Sequence, residues 1–405
     1  EDACDSTHGL DCIRSIMVTM IFAHLVEASR MQPVVQIDPR VAHDGRRILA
    51  RWMLGHWQGR DDALDEAALD ALMRLAWSEG VSLLVCAGLA GCPGERAQAL
   101  HRSGQDWTRM QAAAALGRRT RLRELLACLQ QADVRVLVLK GAALAQWLYP
   151  APYLRESSDV DLLFANRADA LRAADALGGL GYLVPYPPGR FQHELACRGD
   201  GLPDLDLHWA LSDWPVLDRL PGFDALHAAS IPLPGLGAYA RGLDAPHALL
   251  HACVHRASNL AADLGDRLKW LYDLHLLAAV LERQDDWQRF LAACGQSQVC
   301  GIARSGLEAA TALFGTPIPP SVSGVLTVGQ AAEPLDASRL SDWRYIQRLN
   351  VRALPGWGAK LAWLGERVLP PAGHLRALYG EERSYPALLW QRLLRAGGRL
   401  AGNKD

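Results

Sequence analysis

From residue 45 to about residue 90 the chain is written in the helical period. Apolar side chains recur three and four residues apart, as in Ala67-Ala68-Leu69, Leu72 and Leu75-Ala76, a spacing that lays one apolar stripe along one helix face. A second helical run is expected over Glu95 to Ala132, where Arg109, Arg118, Arg119, Arg121 and Arg123 stand among Leu and Ala so that solvated and buried faces alternate. At Val134 the period changes. The apolar run Val134-Arg-Val-Leu-Val-Leu139 ends in Lys140-Gly141 and flows into Ala-Ala-Leu-Ala-Gln-Trp-Leu148, which predicts a strand turning tightly into a helix. Asp159-Val-Asp-Leu-Leu-Phe164 and Asp204-Leu-Asp-Leu-His208 alternate with period two, as strands do. Between them Asn166 is placed to cap a helix with Asp169 in its first turn, and Gly178-Gly179 with Gly181 to end it. Tyr182 to Tyr186 and Phe191 to Arg198 read as strands, and Gly199-Asp-Gly-Leu-Pro203 as a turn folding back onto the strand of Asp206.

The density of Pro and Gly from Pro215 to Tyr239 marks a connection, after which helical spacing returns in Leu249 to His255 and Leu268 to Leu277. A Pro-rich break at Pro317 to Pro320 and a polar stretch to about Ser341 precede a basic, Trp- and Leu-containing helical tail. The fold expected is α+β: a small mixed-sheet core over 133–239, between an N-terminal helical region (31–132) and a C-terminal helical domain (240–405). There is no internal repeat and no low-complexity tract. Residues 1–30 read as a poorly folded leader, with the native start expected at Met31. Their apolar stretch, Ile13 to Val26, is too short to cross a bilayer, which takes about 20 residues.

Half the residues are apolar, enough for a large core. The formal charge of −2 gives no broad basic field to attract nucleic acid. Nine cysteines without a Cys-x-x-Cys pair argue against a disulfide framework or a zinc ribbon, so a cytoplasmic location is expected. Cys86, Cys92, Cys294 and Cys300 lie in or beside apolar helical contexts and read as core.

The aspartates carry the chemistry. On a strand Asp159 and Asp161 share one face, and Asp206 joins them if its strand is a neighbour in the same sheet; Asp204, on the same face, is its rival. Carboxylates held together stay ionised only beside a cation, and hard oxygen ligands select Mg²⁺ or Mn²⁺. Two such ions about 4 Å apart bind the attacking and leaving oxygens of an in-line phosphoryl displacement. Gly141 at a helix N-terminus suits a phosphate, and the strand delivers Lys140 to the same turn. Arg155 either pairs with Glu156 or reaches phosphate bidentately. His208, on the face of Asp206, orients it or meets phosphate, or is simply hydrogen-bonded at a strand end; His193 poses the same question across the hairpin. His251 and His255 stand one helical turn apart, but Ala252 replaces the glutamate of a zinc-protease helix, leaving a structural pair or the base and ribose side of a nucleotide cleft. Arg267, Lys269 and Asp273 read by spacing alone as a solvated ion-pair face. Walker, Rossmann and nucleophile-elbow motifs are missing.

The order strand, Gly, short helix, Asp-x-Asp, then apolar-Asp-apolar resembles the DNA polymerase β-type nucleotidyltransferase superfamily. The wording Leu139-Lys140-Gly141, Leu148-Tyr149, Arg155, Asp159-Val-Asp161-Leu-Leu and Asp206-Leu-His208-Trp209 resembles its "nucleotidyltransferase family protein" branch. Similarity runs over about residues 65 to 285, through Leu250-His251, His255, Arg267-Leu-Lys-Trp270 and Asp273. The resemblance implies a nucleotidyltransferase core and Mg²⁺-dependent transfer of an NMP from an NTP such as ATP to an unidentified acceptor, a small molecule, peptide or protein. It implies Asp159, Asp161 and Asp206 as metal ligands and catalytic residues, and Lys140, Gly141, Arg155, His208, His251, Arg267 and Asp273 as nucleotide-binding. The superfamily usually has Gly-Ser at the phosphate turn; here Ala142 follows Gly141. Two other readings stand beside it: an Asp-x-Asp glycosyltransferase using a nucleotide sugar, and a non-catalytic binding protein on the same fold.

Overall fold

The computed structural model describes residues 39–262, 264–379 and 384–391; the leader expected over residues 1–30 lies outside them. Four helices come first: α1 (Pro39–Met53), α2 (Glu66–Ser78), α3 (Ser82–Leu89) and α4 (Glu95–Ser103). The long α5 (Gln105–Gln131) leads into the alternating core of β1 (Leu137–Val138), α6 (Lys140–Trp147), β2 (Asp159–Leu163), α7 (Arg167–Gly178), β3 (Glu194–Cys197) and β4 (Asp204–His208). Then come α8 (Phe223–Ala229), β5 (Ile231–Pro232) and β6 (Arg241–Gly242). The C-terminal helices are α9 (Ala245–Ala261), α10 (Leu268–Gln284), α11 (Trp287–Ser297), α12 (Cys300–Phe314), α13 (Pro320–Gln330), α14 (Trp343–Ala353), α15 (Gly356–Val368) and α16 (Ala372–Tyr379). The class is α+β, as the alternating and helical periods predicted.

The sheet runs in the order β3-β4-β2-β1-β6-β5, with β2–β4 and β1–β6 parallel and the other pairs antiparallel. Period two splits its residues cleanly between two cores. Val136, Val138, Val160, Leu162, Phe164, Leu205 and Leu207 face one cluster with Leu122, Leu125, Leu126 and Leu129 of α5 and the alanines of α7. Leu137, Leu139 and Leu163 face the other way, into a larger cluster built by α1–α3 and α9–α14. The aspartates of β2 and β4 alternate with the first set, so they emerge on the second face.

Local signals account for several boundaries. The Asn166 side chain accepts the Asp169 N–H at 3.0 Å and starts α7 as expected. Asp244 caps α9 in the same way, with Pro246 in the first turn. The run expected from Glu95 to Ala132 is instead two helices broken at Gly104. A Cβ there would stand 2.5 Å from Cys86 Sγ, so α4 and α5 meet where only glycine fits against α3. Tyr182–Tyr186 forms no strand; Leu183 makes an isolated bridge to Arg198, and Pro185, Pro187 and Pro188 lack the N–H groups that a ladder needs. The segment Pro215 to Tyr239, expected as a bare connection, carries α8 and β5 because Leu217, Phe223, Leu226, Leu233 and Leu236 are all buried. Cys86, Cys92, Cys294 and Cys300 are buried free thiols, as the apolar context indicated. No helix among the described residues is long and apolar enough to cross a membrane.

Candidate active site

Strands β2 and β4 run parallel, with Asp159 opposite Asp204 and Asp161 opposite Asp206. This register gathers Asp159, Asp161 and Asp206 so that one ligand oxygen from each lies within 4.8 Å of the others. The rival Asp204 stays out of the cluster and meets Arg198 Nε at 3.3 Å. The hairpin of β3 and β4 thus brings in the third carboxylate as the turn at 199–203 indicated.

Each carboxylate holds one oxygen on a protein donor. Asp161 Oδ1 accepts from Lys140 Nζ at 2.6 Å and lies 2.9 Å from His208 Nε2. Asp206 Oδ1 accepts from both terminal nitrogens of Arg198 at 3.2 and 3.1 Å, and Asp159 Oδ1 from Ser157 Oγ at 3.3 Å. No described residue bonds the Oδ2 of any of the three. Three carboxylates, each oriented through one oxygen and open at the other, are the donor set that a hard divalent cation takes. The residues present therefore fit Mg²⁺ or Mn²⁺.

Their electrostatics diverge. Burial works to raise the Asp161 pKa, but Lys140 and His208 overcome it and hold the carboxyl well below its ordinary range. Burial also raises Asp206; Arg198 opposes it and the Asp161 charge reinforces it, leaving Asp206 above the ordinary range. His208 hydrogen-bonds Asp161, not Asp206 as its place on β4 had suggested, because the ring crosses to the neighbouring strand. His193 sits elsewhere, 3.0 Å from the Ser212 carbonyl.

The turn into α6 lies beside this cluster because Leu139 N–H donates to the Asp161 carbonyl at 2.9 Å, extending the β1–β2 pairing to the first residue of the turn. Lys140 follows at φ 46°, a left-handed conformation that strains a residue with a Cβ. At Gly141 an added Cβ would stand 3.1 Å from both Arg155 Nη1 and Ser157 Oγ, so glycine is what lets the β1–α6 turn pack on the segment leading into β2. Ser157 brings a hydroxyl to the turn that Ala142 does not supply.

A cleft of about 260 Å³ opens between the sheet and helices α9 and α10. Lys140, Gly141, Asp159 and Asp161 line one side; His251, His255, Asn259, Arg267, Lys269 and Trp270 line the other. Burial, with the Lys140 charge behind it, pushes His251 well below its ordinary pKa and His255 down to about 3, so both rings are neutral at pH 7. The Arg267 guanidinium lies 5.4 Å from the Trp270 ring centre. Neither Arg267 nor Lys269 forms an ion pair among the described residues. Burial and the charges of Arg155 and Arg267 bring the Lys269 pKa down to about 8.

Arg155 and Asp273, both expected at the nucleotide, line the cleft and hold each other. Arg155 Nε and Nη2 donate to the two carboxylate oxygens at 2.8 and 2.7 Å, and Tyr149 Oη adds a hydrogen bond to Oδ1 at 2.6 Å. Both side chains are buried, and the pair fastens α10 to the segment leading into β2. Arg155 donates to the Glu156 backbone carbonyl, not to its carboxylate.

Of the residues singled out from the sequence, the structure gathers the three aspartates and places the turn, Arg155, His251, Arg267 and Asp273 around the cleft. Sequence reasoning missed Lys269, set down as a solvated face, and with it Ser157, Arg198, Asn259 and Trp270. Ser157-Ser158 directly before Asp159 was the one local signal available; Arg198 and Asn259 carry none.

A mixed sheet presenting Asp-x-Asp and a third aspartate on the adjacent strand, beside a Gly-bearing strand-to-helix turn, defines a nucleotidyltransferase-type core. The chain belongs to the family described as uncharacterised nucleotidyltransferase, whose model matches residues 65–315. Searches of curated proteins and of solved structures find no match.

Proposed function

We propose that the protein transfers a nucleoside monophosphate from an NTP to an acceptor hydroxyl or phosphate with divalent metal, and that the cleft between the sheet and α9–α10 holds the nucleotide. The carrying observation is the parallel in-register pairing of β2 with β4, which gathers three carboxylates with one free oxygen each. Asp159, Asp161 and Asp206 would hold Mg²⁺ or Mn²⁺, which supplies charge neutralisation for the attacking and leaving oxygens. Lys140 and the N–H groups of the turn bind the phosphates from one side. Arg267 and Lys269, without acidic partners among the described residues, meet the same anion from the other. The neutral His251 and His255 and the Trp270 ring offer an uncharged surface to sugar and base. The acceptor oxygen attacks the α-phosphorus, the bond to the bridging oxygen breaks, and pyrophosphate leaves. Asp206 accepts the acceptor's proton.

A nucleotide-sugar reading lacks support, because among the described residues only the short β1 precedes the Asp pair where a glycosyltransferase carries a nucleotide-binding sheet. The test uses labelled NTPs with Mg²⁺ and a cell extract as source of acceptor. Asp159→Asn, Asp161→Asn and Asp206→Asn should each lower turnover by roughly 10²-fold or more, the scale of losing a group used in the transition state. Asp206→Asn should keep most of its NTP affinity, and Asp204→Asn should leave turnover near wild type. Equal turnover of the wild type and the Asp159→Asn, Asp161→Asn double variant would leave a non-catalytic binding protein.

A further inference from the structure

We propose that Lys140 is a resident counter-ion of the carboxylate cluster, one that keeps free divalent metal out and gives way only when a nucleotide triphosphate takes its ammonium. The inference rests on the metal–nucleotide reading of the same site and concerns the order in which the two bind.

Charge comes first. Asp159, Asp161 and Asp206 bring three negative charges, while Lys140 on Asp161 and Arg198 on Asp206 return two positive ones at 2.6 and 3.1 Å. A divalent ion arriving alone therefore meets three carboxylates already offset by two cations, one of them an ammonium bonded to the carboxylate it must share. Nearly all of the Asp161 side chain is shielded from water, so that repulsion is poorly screened. Arg198 is different in kind, since it approaches Asp206 from β3's end and does not line the cleft.

The position of Lys140 supplies the release. Its backbone forms the phosphate turn itself, and the residue lines the cleft with its ammonium on Asp161. A triphosphate seated at the Gly141 N-terminus would lie within reach of the same ammonium without any movement of the sheet. The ammonium then pairs with phosphate, so the Asp161 charge is no longer offset by Lys140 and only His208 remains on that carboxylate when the metal that accompanies the triphosphate arrives. Retaining a lysine at φ 46°, where glycine would be relaxed, is in keeping with a side chain needed at that point.

Mn²⁺ binding, followed by electron paramagnetic resonance, reads this directly, with and without a non-hydrolysable ATP analogue. Wild type should bind Mn²⁺ weakly alone and at least about tenfold more tightly with the analogue, the step expected when one unit charge leaves a poorly screened site. Lys140→Met should bind Mn²⁺ alone at least about tenfold more tightly than wild type and lose most of the enhancement by nucleotide. Lys140→Arg keeps the charge and should behave as wild type in the absence of nucleotide, which separates charge from any change in folding. If free wild type binds Mn²⁺ as tightly as the nucleotide complex, or Lys140→Met gains nothing, the counter-ion role falls while the metal site stands. If no variant binds Mn²⁺ under any condition, both the site and its counter-ion fall.

Discussion

Lys269 is the residue whose ionisation should bear most directly on the nucleotide binding proposed for the cleft. Its pKa of about 8 comes from burial and from Arg155 and Arg267 nearby, so in the free protein it is mostly charged at pH 7 and mostly neutral at pH 9. NTP affinity should therefore hold up to about pH 8 and then fall by up to tenfold per pH unit as the cation is lost. Lys269→Arg should carry the plateau upward by more than one unit, because a guanidinium stays protonated. Without nucleotide the sign reverses. The folded pKa lies below the unfolded value of 10.5, so between about 8 and 10.5 the unfolded chain binds more protons and folding stability rises with pH. Lys269→Met should lose that rise. Titration of NTP affinity by calorimetry from pH 6.5 to 9.5 checks the first part, and urea melts over the same range check the second. A flat affinity profile in wild type would remove Lys269 from the anion site.

At the scale of elements, the clamp between α10 and the segment before β2 is the feature that a reading by spacing did not reach. Arg155 and Asp273 are 118 residues apart, and no local period links them. Strands β2 and β4 were legible because alternation is written into adjacent residues, and the start of α7 because its capping side chain lies three residues from the N–H it accepts. The β1–α6 turn was legible for the same reason. The segment 215–239 was misread because Pro and Gly outweighed the scattered Leu217, Phe223, Leu226 and Leu233, whose burial depends on partners far along the chain. Lys269 looked solvated because helical spacing says which residues share a face, not what covers that face. The clamp makes a firm prediction. Asp273→Asn leaves the Arg155 guanidinium buried without its counter-charge and should cost about 3–5 kcal/mol, against about 1 kcal/mol for Tyr149→Phe. Urea unfolding should show these as shifts in midpoint at constant slope. A loss under about 1 kcal/mol for Asp273→Asn would mean that the pair is solvated in solution.

At the scale of the molecule, the N-terminal helices, the second face of the sheet and the C-terminal helices share one apolar cluster, running from Leu49 of α1 to Leu349 of α14. Polar contacts cross the same boundaries. Glu156, beside the Asp pair, accepts from Ser82 Oγ at 2.9 Å and Leu83 N–H at 3.3 Å at the start of α3. Glu79, at the end of α2, accepts the Leu268 N–H at 2.7 Å and so helps to fix the start of α10, the helix that carries Lys269 and Trp270 into the cleft. The N-terminal helices therefore hold the far wall of the site although none of the carboxylates lies in them. A fragment beginning at Gln105 loses Leu49, Trp52, Leu83, Val85 and Leu89 from the cluster and exposes their partners. It should not reach a packed state, with near-ultraviolet circular dichroism lost and dye binding to exposed apolar surface gained. The intact chain should unfold in urea as one transition across residues 39–353, and a saturating NTP with Mg²⁺ should raise that whole transition by about 2.7 kcal/mol at a hundredfold excess over Kd. Glu79→Gln is the graded version: α10's first N–H keeps an acceptor but loses its charge, so the fold should survive while NTP affinity weakens more than the stability does. Two separate unfolding transitions, only the later one moved by nucleotide, would show that the N-terminal helices are a detachable unit and that the sheet holds the cleft without them.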